Sequence, residues 1–151
     1  MKRIAAAIVF ALALTGAHAG AWGDGSFEND DAMDWVGDCV QAASPGVVKA
    51  AFDRVLEEDV VEAPDASAAI AVAEVVAASL GKPSPALPEN LKAWLAGQPR
   101  TQIGAQGALA ERALTKIEDA RHSGLRQLWS EGKTNQWLAK VQALQSRIGS
   151  K

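Results

Sequence analysis

The residues in this chain best equipped for chemistry are carboxylates. Six acids fall within fifteen positions, Asp24, Glu28, Asp30, Asp31, Asp34 and Asp38. Asp30, Asp34 and Asp38 repeat at the i, i+4, i+8 spacing that places them on one face of a helix. Oxygen donors at that density suit a hard cation, which makes Glu28, Asp30, Asp31 and Asp34 the candidate metal ligands. The spacing nevertheless lacks the alternating Asp/Asn positions, central glycine and terminal Glu of an EF-hand loop, and acids in a first helical turn are favoured by the helix dipole alone. Glu74 is a separate case. A carboxylate amid Ala71, Val72, Ala73, Val75, Val76 and Ala77 must be paired, hydrogen-bonded or neutralised. Its candidate structural partners are backbone amides or an indole of the N-terminal segment, or a cation such as Arg112; its candidate chemical role is that of a general acid or base.

Other familiar chemistries lack their residues. Only His122 remains beyond residue 19, so no HExxH zinc pair exists, and no glycine-rich phosphate loop is followed by Lys-Ser/Thr. Cys39 is the single cysteine and forms no internal disulfide; it reads as a small buried hydrophobe, with pairing between chains as the alternative. The balance favours a protein that is not an enzyme and calls for no cofactor.

Glycines 20, 23 and 25 alternate with Trp22 and Phe27, which points to an irregular N-terminal arm. In one reading the arm plugs the end of the fold, with Trp22, Phe27 and Trp35 as core aromatics. In the other it is a ligand-facing loop, and Gly20, Trp22, Asp30, Asp34 and Glu74 are the candidate binding residues.

The elements that position these groups are helices. Apolar residues recur at spacings of three and four, and no period-2 run of β-branched residues appears. The pattern predicts an all-α, compact single-domain bundle of six or seven helices. The first runs from about Asp30 to Ala43 behind Asn29 as N-cap, and the second starts at Ser44-Pro45 and ends near Glu58. The third, from Pro64 or Asp65 to Leu80, is apolar nearly all round and should be central. A short helix spans Pro88 to Ala96. A longer one spans about Thr101 to Asp119, its first turns weakened by Gly104 and Gly107. Ser123 caps a short segment that Gly132 ends, and Thr134 caps a last amphipathic helix carrying Trp137, Val141, Leu144 and Ile148.

Residues 1–19 read as a targeting segment rather than part of this fold. Lys2 and Arg3 precede an apolar run from Ile4 to Leu14, and Ala17-His18-Ala19 is a small-x-small cleavage site. The run is far shorter than the roughly 20 residues that cross a bilayer. The expectation is a signal peptide over 1–19, one helical domain over 20–151, and an exported product, periplasmic or secreted, that leaves the membrane after cleavage. Without Lys2 and Arg3 the 15 basic residues become 13 against 18 acidic ones, and the formal net charge goes from −3 to −5. No basic stripe exists to bind phosphates, which argues against a nucleic-acid partner.

The run Gly20-Ala21-Trp22-Gly23-Asp24-Gly25-Ser26-Phe27-Glu28-Asn29-Asp30-Asp31-Ala32-Met33-Asp34-Trp35 resembles the opening of a bacterial family, domain of unknown function 4259. The similarity continues through Ala73-Glu74-Val75-Val76, Leu87-Pro88, Trp94-Leu95, Leu128-Trp129 and Trp137-Leu138. It covers essentially Gly20 to Ile148 and implies a single domain without implying an activity. Members commonly begin this motif straight after the initiator methionine, whereas here an export signal precedes it.

Three functional expectations follow. The first is a binding or interaction module, inhibitor-like or accessory, toward a basic protein partner. The second is a metal-assisted hydrolase built on the N-terminal carboxylates, and the third a structural envelope component. Substrate, partner and oligomeric state are not encoded in any motif.

Overall fold

The computed structural model describes residues 20–132 and 135–150. The proposed leader and the Thr134 cap lie outside the described residues. Among the described residues eight helices follow the arm: α1 (Asp30–Gln41), α2 (Gly46–Glu57), α3 (Ala63–Ser79), α4 (Glu89–Ala96), α5 (Arg100–Gly104), α6 (Gly107–Glu118), α7 (Gly124–Ser130) and α8 (Trp137–Gly149). Among the described residues no helix is long and apolar enough to cross a membrane.

The sequence signals that start and stop these helices act as their chemistry predicts. The Asn29 side chain accepts the Ala32 N–H at 2.8 Å and the Ser123 hydroxyl accepts the Arg126 N–H at 3.1 Å, each satisfying a first-turn donor. Ser44 accepts the Gly46 N–H at 3.2 Å, two residues before the helix proper. At the end of α3, Gly81 takes φ +82°. That left-handed turn lets the Lys82 N–H reach the Ala77 carbonyl at 2.9 Å.

The helix expected over Thr101–Asp119 is two. α5 ends at Gly104, α6 begins at Gly107, and Ala105 and Gln106 turn the chain between them. Two glycines so close together lower the cost of leaving the helix, and Gly104 also lets α5 approach Leu80, whose Cδ2 would stand 3.1 Å from a Cβ placed there.

α3 is the hub. It packs against all seven other helices, and twelve of its seventeen residues are buried. Phe52, Leu91, Ile103, Leu114, Ile117 and Leu144 close around it without measurable exposure beyond 1%. A helix apolar on every side forms only where every side is covered, so the sequence of α3 dictates a layer of helices around it.

Candidate functional site

The N-terminal arm is a tight loop. The Glu28 carbonyl accepts the N–H groups of both Trp22 (3.0 Å) and Gly23 (3.2 Å), and Asp30 N–H donates to the Gly20 carbonyl at 2.9 Å. Ala21 and Asn29 form an isolated antiparallel bridge across it. The Glu28 carboxylate folds back to accept the Gly25 N–H at 2.7 Å. It lies so close over Gly23 that a Cβ there would push the carboxylate aside.

This geometry corrects the plug. Phe27 is buried, but Trp22 is 61% exposed and Trp35 only partly buried. A loop closed by its own backbone hydrogen bonds presents one aromatic to the core, and Phe27 takes that place. Trp94 and Trp137 are buried as expected, while Trp129 is partly buried and stacks on Trp137 with ring centroids 6.3 Å apart and planes within 10°.

Glu74 is 3% exposed and fully engaged. Arg147 of α8 donates from Nη2 to both carboxylate oxygens, at 2.9 and 2.8 Å, and Ser26 of the arm donates its hydroxyl to Oε1 at 2.8 Å. The cation is therefore Arg147 and not Arg112, and the arm answers Glu74 with a hydroxyl, not with a backbone amide or an indole. Arg147 Nη1 also donates to the Lys82 carbonyl at 3.1 Å, and Lys82 returns a hydrogen bond to the Arg147 carbonyl at 3.0 Å. The cluster joins the arm, α3, α8 and the turn after α3. Such an arrangement holds a charge in place and leaves no free acid or base.

The remaining acids have separate environments. Asp24 accepts the Gln136 N–H at 2.8 Å and pairs with Lys140. The Lys140 hydrogen bond, then that of Gln136, holds its carboxyl below the usual carboxylate range. Asp30, Asp34, Asp38 and Glu28 are exposed and, among the described residues, form no salt bridge. Among the described residues no group of three or more His, Cys, Asp and Glu side chains is placed to hold a metal ion.

Asp31 is turned toward a small cavity of about 40 Å³ enclosed by the arm, α1, α3, α7 and α8. Burial pushes its carboxyl up, and the charges of Asp34, Asp30 and Asp65 push the same way. The same cavity is lined by Ser67, Ile70, Leu125, Trp129 and Trp137. Ser67 is 4% exposed and its hydroxyl has no hydrogen-bond partner among the described residues. Ser67 escapes motif reading because a serine in an alanine-rich helix is unremarkable. Its signal is its spacing, seven residues and two turns before Glu74, which puts both polar side chains of the α3 interior on one face. On α8, Lys140 and Arg147 show the same seven-residue spacing along one edge of the apolar stripe.

A model of the family described as domain of unknown function, DUF4259, matches residues 20–140. The chain belongs to the DUF4259 family. The match begins at the first residue of the arm and takes in all of α1 to α7, so the arm is part of the DUF4259 domain and not an appendage to it. No curated protein and no solved structure matches the chain.

Proposed function

We propose that this DUF4259 protein is an exported binding module that meets a basic protein partner through its arm-bearing face. The observation that carries this reading is Trp22. It is the most exposed large hydrophobic residue among those described, at 61%, on a loop held rigid by its own hydrogen bonds. Around it in sequence stand Glu28, Asp30, Asp34 and Asp38, exposed and without ion-pair partners among the described residues. An exposed tryptophan on a hydrogen-bonded loop, followed in sequence by unpaired acids, suits an interface anchor for a positively charged surface. The charge of −5 beyond residue 19 would speed such an encounter at low salt. Export rests on the leader-like residues 1–19.

The placement of the carboxylates favours this reading over a metal-assisted hydrolase, because Glu74 is consumed by Arg147 and Ser26 while Asp24 is consumed by Lys140. An envelope scaffold would call for a broad apolar patch. The exposed large hydrophobics Trp22, Val60, Leu80 and Leu128 belong to four different segments.

The test is quantitative affinity capture from the exported fraction of the native host, using the wild-type chain, Trp22→Ala and the double variant Asp30→Asn/Asp34→Asn. The expected result is one dominant basic partner whose recovery falls in both variants and between about 0.05 and 0.5 M salt. A partner retained equally by all three proteins at high salt would overturn the reading.

A further inference from the structure

Arg112 and His122, which the Glu74 cluster and the arm leave unused, line one open groove with the end of α2, the face of α6 and Gln145 of α8. Its volume of about 670 Å³ falls in the range of about 300 to 1,000 Å³ found for small-molecule sites. The α2 wall is acidic. Glu57, Glu58 and Asp59 follow one another where that helix ends. A helix is electrically negative at its C-terminal end, so the position favours cations and disfavours three successive acids. The fold answers only the backbone there: Lys116 donates to the Glu58 carbonyl, and His122 donates from Nδ1 to the Asp59 carbonyl at 3.0 Å. The three carboxylates form no ion pair among the described residues. Glu58 Oε2 is moreover closed off from water with no hydrogen-bond partner, a state that native structures seldom tolerate. The α6 side carries the opposite charge. Arg112 is exposed, without an ion-pair partner among the described residues, and stands one turn before Lys116 on the same face. Charges of both signs therefore line one groove without neutralising each other.

We infer that this groove binds a small zwitterion with a free ammonium and a free carboxylate, the pair of groups carried by an amino acid or a short unblocked peptide. The ligand carboxylate meets the Arg112 guanidinium, which offers two parallel N–H donors, and the spare N–H groups of Lys116. The ligand ammonium meets the Glu57 to Asp59 wall and brings the Glu58 carboxylate the counter-charge that the chain does not supply. A simple anion is repelled by the acidic wall and a simple cation by Arg112 and Lys116, so the groove selects a ligand that carries both charges. No residue of the arm lines it. The site therefore stands independently of the interaction proposed for Trp22.

The test uses the full chain, ¹⁵N-labelled, titrated at neutral pH and constant ionic strength with L-alanyl-L-alanine, L-alanine and two blocked dipeptides, one N-acetylated and one C-amidated. The backbone amide resonances of Glu57 to Asp59 and of Arg112 to Lys116 should shift and saturate with the two zwitterions, with a Kd on the order of millimolar. Each blocked dipeptide has lost one charge-assisted contact and should bind about tenfold more weakly. Arg112→Gln and Glu58→Gln should each weaken the unblocked dipeptide by about the same factor of ten. Arg112 is exposed, so its variant should keep the dispersed spectrum of the folded chain and carries the test even if Glu58→Gln unfolds. Tighter binding of the dipeptide than of alanine assigns the site to peptide ends, and the reverse order assigns it to a free amino acid. No saturable shift with either zwitterion, equal affinity for the blocked dipeptides, or unchanged affinity in Arg112→Gln would overturn the inference. Trp22→Ala should bind the zwitterion as the wild type does, whatever becomes of the basic partner; a matching loss of zwitterion binding would place the site at the arm and overturn this assignment.

Discussion

Removing the Arg147 guanidinium would leave Glu74, 3% exposed, with one serine hydroxyl as its partner. Breaking a buried pair from one side costs about 3 to 5 kcal/mol. The Arg147 side chain is about one-third exposed, so water can partly replace it, and Arg147→Ala should cost about 3 kcal/mol. The double variant Glu74→Leu/Arg147→Met should cost less than Arg147→Ala alone, since it leaves no unpaired charge; urea melts of the two proteins make the comparison. Cys39 shows burial acting on a thiol, whose pKa is pushed up to about 12. With almost no thiolate available at pH 8, it should resist alkylation by iodoacetamide in the native protein and react once urea unfolds the chain. Asp31 makes a pH-dependent contribution of the opposite sense to most native carboxylates. Burial, then Asp34, Asp30 and Asp65, raises its folded pKa above that of the unfolded chain. The folded state therefore binds the proton more tightly, and stability is lost as pH rises from the unfolded pKa through the raised one and stays lost at pH 7. Asp31→Asn should melt above wild type at pH 7 and close to it near pH 3. A less stable variant at pH 7 would contradict the assignment.

Among the elements, what could be read in advance was what local chemistry decides. Asn29 and Ser123 cap their helices because short acceptors reach first-turn amides, and α3 is central because its composition allows nothing else. The break between α5 and α6 was harder to see. A glycine in a helical pattern is tolerated at about 1 kcal/mol, and only the approach of α5 to Leu80 shows that the pair Gly104 and Gly107 ends one helix and starts another. Partners distant in sequence were beyond reach for a similar reason: Arg147 lies 73 residues from Glu74, and Arg112 was equally plausible by charge. Likewise no local rule distinguishes Trp22 from Phe27, since only the closed arm decides which ring enters the core. In the sequence Asp31 reads only as a candidate metal ligand, and neither Ser67 nor the cavity between five segments is legible there, because the cavity forms from residues far apart in the chain. The stacking of α7 on α8 gives an element-scale prediction. Trp137 is 4% exposed and faces Trp129. Trp137→Ala should cost about 3 to 5 kcal/mol and abolish the near-ultraviolet circular dichroism of the coupled indoles, both read from one set of thermal scans.

At the scale of the whole molecule, the two ends of the described chain are fastened to each other. Asp24 binds Lys140 and the Gln136 N–H, and Ser26 reaches Arg147 through Glu74, so the arm and α8 close the bundle together. The first described residue of the arm is Gly20, with φ +74° and its carbonyl bonded to Asp30, and this is the residue that cleavage after Ala19 would expose. Intact-mass measurement of the protein recovered from its host should show a chain beginning there. The new ammonium would emerge beside Asp30, whose Oδ2 would lie 3.0 Å from a Cβ at Gly20. Both residues are exposed, which makes the pair a surface one. An exposed ion pair is worth about 0 to 1 kcal/mol and is screened by salt. A protein beginning at Gly20 and one with Met-Ala added before it should therefore differ by less than about 1 kcal/mol in urea at low ionic strength, and the difference should vanish at about 1 M salt. A loss of about 3 kcal/mol or more in the extended protein, persisting in salt, would show instead that the amine is buried and paired.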